Sequence, residues 1–251
     1  MLKRLGICLA PIVFAFFLNG CVEDRAAIKE RSLLHLRLGA SHLSEGNIPS
    51  ALKELLEAKK INPDDPHIYS MLGLAYGGKK EYEKAIDNFR KALEINPELP
   101  EVHNNFGTLY LHLKRWDDAI LEFRKAVNND LYSTPERAYC NMGWAYYKKG
   151  DMGRAIQNYK KASEIDPEFI LPYYNLGVGY LSIDKTDEAI AAFKLAVKLA
   201  PGYVDAHYRL GLVYFKLGMK EDAKREFEEV VTISPPGETR SSAKTYLDLL
   251  N

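Results

Sequence analysis

The chain has 251 residues, which is enough for one or two folded domains. Its 34 lysine and arginine residues balance its 34 aspartate and glutamate residues, so no overall basic field favours a nucleic-acid partner. A hydrophobic content of 47% is ordinary for a globular protein and argues against an intrinsically disordered chain.

Residues 1–20 have the layout of a secretory signal peptide. The positive segment MLKR precedes a 14-residue apolar run, LGICLAPIVFAFFL, which is shorter than the about 20 apolar residues of a transmembrane helix. The run ends in Leu-Asn-Gly-Cys, which resembles a bacterial lipobox. That resemblance implies that Cys21 is diacylated and becomes the new N-terminus, with residues 21–31 as a lipidated linker. The alternative is an ordinary signal peptide or anchor helix with an incidental cysteine.

The cysteine content predicts that no intramolecular disulfide forms in the mature protein. Cys8 leaves with the signal peptide and Cys21 carries the lipid, so Cys140 has no partner. A lone thiol of this kind is more often a buried small hydrophobe than a reactive exposed group.

After the signal peptide, a glycine recurs every 34 residues, except for one interval of 36. An alanine follows each glycine by twelve residues, and a bulky apolar residue follows each alanine by four. The glycines are Gly39, Gly73, Gly107, Gly143, Gly177 and Gly211. This pattern is typical of the tetratricopeptide repeat, a pair of antiparallel helices whose small residues permit close helix packing.

The repeats predict an all-α solenoid, because each helix pair must stack on its neighbours to bury its apolar face. We expect a right-handed superhelix of six tetratricopeptide repeats, closed by a C-terminal capping helix at residues 238–251. The expected repeats are 32–65, 66–99, 100–135, 136–169, 170–203 and 204–237.

No catalytic, cofactor or metal motif stands out in the sequence. The segment Gly-Val-Gly at 177–179 falls inside a repeat helix, and the histidines lack the spacing of a metal site. The segment NPDDP at 62–66 is better explained as a turn between repeats than as a calcium loop. We therefore expect a protein that is not an enzyme and needs no cofactor or metal.

Asparagines recur on the face of the first helices that is expected to line the inner surface of the solenoid. With the glycine as position eight of each repeat, Asn104 takes position five, and position six is asparagine in repeats three to five and arginine in the first and last. The position-six residues outside repeat two are Arg37, Asn105, Asn141, Asn175 and Arg209. Amides can pair with the main chain of an extended peptide, which predicts a binding groove. The alternative is that they bond neighbouring helices or water.

The first repeat, SLLHLRLGASHL, is apolar on more sides than packing within one repeat requires. We expect Leu34, Leu38 and Gly39 to meet the second helix. The expected inner surface, a candidate docking site, consists of Leu33, Leu36, Ala40, Leu43 and Leu74. Alternatively, residues 22–31 fold back as an extra helix that covers these leucines.

Two features of the third and fourth repeats resemble a known family. They are the run NNFGTLYL and the longer turn before AYCNMGWAYYKKGD, in which Pro135 departs from the regular register. Together with the lipobox and six repeats, they resemble the type IV pilus biogenesis lipoproteins PilF, PilW and Tgl, the pilotins of the pilus secretin.

The resemblance implies a non-enzymatic protein, lipid-anchored on the periplasmic face of the outer membrane. Its partner would be the pilus secretin, whose outer-membrane localisation and multimerisation it would promote. Two alternatives remain open at this point. One is another envelope lipoprotein adaptor, serving peptidoglycan enzymes or outer-membrane protein assembly. The other is an enzyme accessory or haem-protein maturation factor.

Overall fold

The computed structural model describes the backbone of residues 10–250 and the side chains of residues 25–250. This part of the chain forms thirteen α-helices and contains no strand, which confirms the predicted all-α repeat fold. The helices are α1 Ala10–Ser44, α2 Ile48–Ile61, α3 Pro66–Gly78, α4 Tyr82–Ile95, α5 Pro100–His112, α6 Trp116–Val127, α7 Pro135–Lys148, α8 Met152–Ile165, α9 Ile170–Leu181, α10 Thr186–Leu199, α11 Val204–Lys216, α12 Lys220–Ile233 and α13 Glu238–Leu250.

The chain divides into two compact units, Met1–Phe106 and Gly107–Asn251, and the boundary falls within α5. Each unit is built from the helix pairs that the repeats predict. In the first unit α1 packs on α2 and α3 on α4; in the second, α7 packs on α8, α9 on α10 and α11 on α12.

Each repeat glycine lies where the two helices of its pair approach most closely. A Cβ atom placed on Gly177 would be 2.5 Å from Cε1 of Phe193, and one on Gly39 would be 2.6 Å from Cγ of Leu55. The same relation joins Gly143 to Tyr159. The bulky residue sixteen positions later therefore fills the space that the missing side chain leaves, as the sequence pattern predicts.

The turn inside each helix pair holds one residue in the left-handed backbone region. Glycine serves in three repeats, with φ between 72° and 81°, because it adopts this conformation without a steric penalty. The other three repeats place Lys80, Lys114 and Asp184 there, with φ of 64°, 58° and 57°. These three turns therefore carry local backbone strain.

Helix α13 covers the last repeat, as predicted for a capping helix. Ala243 is fully buried against α12, and the Tyr246 ring stacks on Phe227 with 5.0 Å between centroids and 9° between planes. Tyr246 also meets Phe215 edge-on at 5.0 Å. The apolar end of α12 is thus removed from water.

The first helix is longer than a repeat helix. It begins at Ala10 and runs without interruption into the first repeat, so residues 21–31 continue the helix and do not fold back over it. Residues 25–31 are all exposed. The predicted signal peptide and the lipid attachment at Cys21 lie outside the residues whose side chains are described. Within the described residues, no helix has both the length and the apolar character to cross a membrane.

Candidate functional site

One face of the first helices is a stripe at positions two, six, nine and thirteen of each repeat, here called the inner stripe; its residues are exposed or half-buried, except Asn175, which is buried. In the first unit it comprises Leu33, Arg37, Ala40 and Ser44 on α1, His67, Met71, Leu74 and Gly78 on α3, and Glu101 and Asn105 on α5. In the second unit it comprises Thr108 and His112 on α5, Arg137, Asn141, Trp144 and Lys148 on α7, Leu171, Asn175, Val178 and Ser182 on α9, and Asp205, Arg209, Leu212 and Lys216 on α11. Residues with this spacing lie along one side of an α-helix.

Leu36 and Leu43, at positions five and twelve, are not part of an open surface. Both are half-buried and pack against the core formed by α2 and α3. Their side of α1 turns toward the next repeat, which covers part of each side chain. They are less exposed than expected, and their part in a docking site stays a prediction.

Leu34 and Leu38 are exposed to 55% and 41%, so the expectation that they meet the second helix is wrong. Gly39 does meet that helix, as predicted. Leu34 and Leu38 occupy positions three and seven, which are buried in all five later repeats. In the second repeat these positions are Ile68 and Leu72, which pack with residues of α2. In the part of the chain that the structure describes, no helix pair packs on this side of α1, so Leu34 and Leu38 stay uncovered.

Within the first repeat, the exposed face of α1 is consequently apolar around one cation, Arg37. Leu33 is 40% exposed, and the exposed Arg37 lies between Leu33, Leu34 and Leu38 on the helix surface. Ala40 and Leu74, also predicted for the site, are half-buried. We call Leu33, Leu34, Arg37 and Leu38 the first-repeat surface.

The asparagines predicted to line a groove differ in environment. Asn175 is buried, and its Nδ2 donates to Sγ of Cys140 at 3.6 Å, so the expectation that it lies solvated is wrong. Asn104, Asn105 and Asn141 are half-buried. Of the position-six arginines, Arg37 and Arg209 are both exposed, as a binding surface requires.

The thiol of Cys140 is buried, which matches the prediction of a small hydrophobe. Burial disfavours the thiolate and raises the pKa of Cys140 to about 12, against the smaller opposing effect of the Asn175 hydrogen bond. The thiol is therefore protonated and unreactive at neutral pH.

An aromatic cluster on α7 was missed by the sequence reasoning. The rings of Trp144 and Tyr147 stack with 5.2 Å between centroids and 12° between planes, and Nζ of Lys148 lies 4.5 Å from the Trp144 centroid. Trp144 remains 36% exposed. Trp144 lies one residue after the repeat glycine and four residues before Lys148. This spacing places the ring and the cation on one face of α7 and could have revealed the cluster in the sequence.

Two histidine–glutamate pairs tie the two helices of a repeat together and serve packing rather than chemistry. Nδ1 of His35 lies 2.7 Å from Oε2 of Glu54, and Nδ1 of His207 lies 2.7 Å from Oε2 of Glu226. Nε2 of His207 also lies 3.0 Å from the Pro201 carbonyl oxygen, and that arrangement recurs at His103. In the described residues, no group of three or more histidine, cysteine, aspartate or glutamate side chains could hold a metal ion.

Comparison with known families agrees with the repeat structure. Four sequence models of the tetratricopeptide repeat match residues 39–80, 67–99, 88–121, 143–184, 180–218 and 204–236. Together these matches cover more than half of the chain. No curated protein matches the chain significantly in sequence.

Solved structures with a similar fold include PilF, PilW and YrrB. PilF of Pseudomonas aeruginosa has a TM-score of 0.77 and 17% identity, with 88% of this chain and 99% of that chain covered. PilW, described as a widely conserved type IV pilus biogenesis factor, has a TM-score of 0.77 and 23% identity, with coverage of 85% and 98%. YrrB, a tetratricopeptide repeat protein with an unusual peptide-binding site, has a TM-score of 0.58 and 21% identity, with coverage of 76% and 97%.

Proposed function

Because the chain belongs to the tetratricopeptide repeat family, we propose that it works as a protein-binding scaffold of type IV pilus biogenesis. In this proposal it is a pilotin: it binds the pilus secretin and promotes the secretin's outer-membrane localisation and multimerisation. The repeats supply the surfaces on which a protein partner would bind.

One observation carries the proposal: the similarity to PilF and PilW extends over 99% and 98% of those chains. YrrB is also matched over 97% of its own length, but it covers 76% of this chain at a TM-score of 0.58, against 88% and 85% of this chain at a TM-score of 0.77 for PilF and PilW. The run NNFGTLYL and the expanded turn before Pro135 add sequence features that a repeat fold does not require.

The lipobox-like sequence ending at Cys21 supports an anchored location. Attached acyl chains would hold the protein at a membrane without a spanning helix, since each buried methylene contributes about 0.8 kcal/mol. Val22 follows the cysteine, in place of an aspartate that would favour the inner membrane. The proposal therefore places the protein on the periplasmic face of the outer membrane.

The first-repeat surface is the proposed docking site for an amphipathic segment of the secretin. Its three leucines are the positions that a preceding helix pair would cover or border, so an apolar helix face from a partner fits there. Exposed apolar patches are commonly interaction sites. Arg37, in their midst, can pair with an acidic residue beside the apolar face of that segment.

The test is affinity capture from detergent-solubilised envelopes, with the secretin detected in the captured fraction. We expect the wild-type chain to retain the secretin and the double variant Leu34→Asp, Leu38→Asp to lose both capture and secretin multimers. Both side chains are exposed, so circular dichroism should report an unchanged repeat fold. Leu195→Asp is the matched control, because Leu195 is 44% exposed on α10, a second helix.

Two results would overturn this function. One is the absence of any secretin from the captured fraction. The other is a normal level of secretin multimers in cells that lack the chain. If the double variant captures the secretin as well as the wild-type chain does, the proposed scaffold function stands, but the docking site does not lie in the first repeat.

The anchor has its own test. Metabolic labelling with a fatty acid should mark the wild-type chain and leave the Cys21→Ala variant unmarked and unprocessed. A labelled Cys21→Ala protein would show that the lipid is attached elsewhere.

A further inference from the structure

We propose that the exposed side of the second helices α6, α8 and α10 lies on an anionic phospholipid bilayer. This surface, here called the outer stripe, takes positions twenty-two, twenty-five, twenty-six and twenty-nine of repeats three to five, and all its residues are exposed. They are Leu121, Arg124, Lys125 and Asn128 on α6, Gln157, Lys160, Lys161 and Glu164 on α8, and Ala191, Lys194, Leu195 and Lys198 on α10. The inference rests on the proposed membrane location and adds the orientation in which the chain lies there.

The outer stripe carries six cations and one carboxylate, that of Glu164. The second helices on either side lack this excess, because the same positions are balanced on α4 and acidic on α12. The residues there are Asp87, Arg90, Lys91 and Glu94 on α4 and Arg225, Glu228, Glu229 and Thr232 on α12. The positive charge is therefore a property of three particular helices and not of the repeat in general.

The helix dipole does not explain the lysines on α8 and α10. It favours cations only in the last turn of a helix. The last turn of α8 contains no basic residue, and that of α10 contains only Lys198. Lys160, Lys161 and Lys194 lie further from the helix ends, so a different role must account for their charge.

Most of these cations are available to a ligand. Lys125 pairs with Glu122 and Lys161 with Glu164, each within its own helix. Among the described residues, the other four form no ion pair; they are Arg124, Lys160, Lys194 and Lys198. Exposed cations without carboxylate partners can form charge-assisted hydrogen bonds with phosphate oxygens.

Carboxylates near the stripe are matched by cations that lie outside it. Three acidic residues in the first turns of α6 and α10 form ion pairs there. The pairs are Asp117 with Lys149, Asp118 with Arg115 and Glu188 with Lys185. The excess of positive charge on the stripe therefore remains after its surroundings are included.

The stripe continues across the boundaries between repeats. Each cation at position twenty-five reaches the tyrosine at position eleven of the next repeat. The contacts are Nη2 of Arg124 to the hydroxyl of Tyr146 at 3.5 Å, and Nζ of Lys160 and Lys194 to the ring centroids of Tyr180 and Tyr214 at 6.0 and 5.8 Å. These equivalent contacts orient the three cations in the same way, so they form one charged surface.

Exposed apolar side chains lie among the cations. Leu121 is 49% exposed and Leu195 44%, and Ile165 and Leu199, at the ends of α8 and α10, are each 38% exposed. Lysines interspersed with leucines are typical of surfaces that bind at the membrane interface, where the cations meet lipid phosphates and the leucines enter the acyl region. The apolar side chains are dispersed over three helices, which suits a bilayer surface better than a single protein segment.

The predicted anchor at Cys21 makes weak lipid contacts sufficient. An anchored chain is held beside the headgroups, so the effective concentration of lipid at the stripe is high. Basic residues and an attached acyl chain are a common pair of membrane-binding signals. The outer stripe would then fix how the repeats lie on the bilayer.

The experiment measures whether the outer stripe touches lipid in the full-length chain. The fluorophore NBD is attached to a Leu195→Cys variant in which Cys8 and Cys21 are replaced by alanine; Cys140 is buried and does not compete for the label. The apolar run at residues 5–18 is retained and attaches the chain to vesicles without acylation. Vesicle-bound chain is isolated by flotation on phosphatidylcholine vesicles with and without phosphatidylglycerol.

We expect the emission of the probe at residue 195 to shift to shorter wavelengths only on the vesicles that contain phosphatidylglycerol, and nitroxide-labelled lipids to quench it there. The shift should disappear in about 1 M salt, where the Debye length falls to about 3 Å. A probe at Arg209→Cys, on the inner stripe, should stay in water on both kinds of vesicle.

The role of charge is tested by the double variant Lys160→Glu, Lys194→Glu, which should abolish the emission shift. The matched control is Lys148→Glu, Lys216→Glu, because it reverses two exposed lysines on the inner stripe of the same unit. The control should keep the shift. All four side chains are exposed, so circular dichroism should show the same helix content in both variants.

Three results would overturn the inference: a residue-195 probe that stays in water on anionic vesicles, an equal shift on both kinds of vesicle, or a shift that survives reversal of Lys160 and Lys194. A probe that shifts only when secretin is added would assign the outer stripe to a protein partner and also overturn it. The measurement uses neither the first-repeat surface nor acylation, so its failure is distinct from a failure of secretin capture or of fatty-acid labelling.

Discussion

Replacing Gly177 by alanine tests directly whether close helix approach explains the repeat glycines. The new Cβ would lie 2.5 Å from Cε1 of Phe193 and 2.6 Å from its Cδ1 and Cζ. Phe193 is fully buried in the core of the second unit and cannot swing into solvent. Either the ring leaves its rotamer or α9 moves away from α10.

The magnitude follows from two opposing effects. Overpacking of a core by one methyl group costs about 1 to 3 kcal/mol. Alanine in place of glycine in a helix returns about 1 kcal/mol. We therefore expect the free energy of unfolding to fall by up to about 2 kcal/mol.

A matched control separates these effects. Gly153 lies in the first turn of α8 and is exposed, and a Cβ there meets only Oδ1 of Asp151, at 3.8 Å. Gly153→Ala should therefore leave stability unchanged or raise it by a few tenths of a kcal/mol up to about 1 kcal/mol. Urea unfolding followed by far-UV circular dichroism compares both variants with wild type. If Gly177→Ala is as stable as Gly153→Ala, the close approach is not the reason for glycine at this position.

Three further predictions concern a turn, a titration and a thiol. Lys114→Gly should stabilise the protein by about 0.5 to 1 kcal/mol in thermal or urea unfolding, because glycine removes the left-handed strain at φ 58°, whereas Gly150→Lys should destabilise it by a similar amount. The hydrogen bond to Glu226 raises the pKa of His207 in the folded state, so the stabilisation by this pair is fully present below the unfolded pKa of about 6.5 and is lost as the pH rises through the folded value. The stability difference between wild type and His207→Gln should accordingly shrink from pH 6 to about pH 8; a constant difference would assign the histidine to packing alone. Cys140, with its pKa raised to about 12, should resist iodoacetamide in the native protein and react only after unfolding in urea, as followed by mass spectrometry.

Most of the fold can be predicted from the glycine and alanine spacing, because the two helices of each repeat pack so closely that only small residues fit at these positions. Gly39 and Leu55 are sixteen residues apart in sequence and touch in the structure, as Gly177 and Phe193 do. In five of the six repeats a proline predicts the end of the second helix and lies two residues beyond it, as Pro63 lies beyond Ile61. These relations are local within one repeat, so a single sequence reveals them.

The orientation of the first-repeat leucines could not be obtained from the same pattern. Position three and position seven are apolar in every repeat, and the sequence alone does not distinguish a leucine covered by a preceding repeat from one that has none. Leu34 and Leu38 therefore looked like core residues, while Leu36 and Leu43 looked exposed. Whether these leucines are buried depends on which helix packs against α1. The order of the repeats in the chain determines this, and the sequence of a single repeat does not.

The asparagines at position six are a second case in which the repeat pattern does not predict the environment of a side chain. Asn141 and Asn175 have the same position in adjacent repeats, yet only Asn175 is buried and bonded to a cysteine. The difference arises from residue 140 on the neighbouring repeat helix, whose thiol offers an acceptor. Alignment of equivalent positions thus identifies a shared face but not the partner that each side chain finds across it.

The first and last repeats differ in whether their outer apolar faces are covered, and this difference bears on function. A repeat array needs polar or covered ends to remain soluble, and α13 supplies this at the last repeat by burying Ala243 and stacking Tyr246 on Phe227. At the first repeat, Leu34 and Leu38 stay exposed in the described part of the chain, and the preceding turns of α1 continue the helix instead of covering them. An uncovered stacking face is a liability in a freely diffusing protein, because it invites association with any apolar helix. It is tolerable where a partner occupies it, and the predicted anchor at Cys21, on the same helix, would restrict the encounter to proteins at the membrane surface.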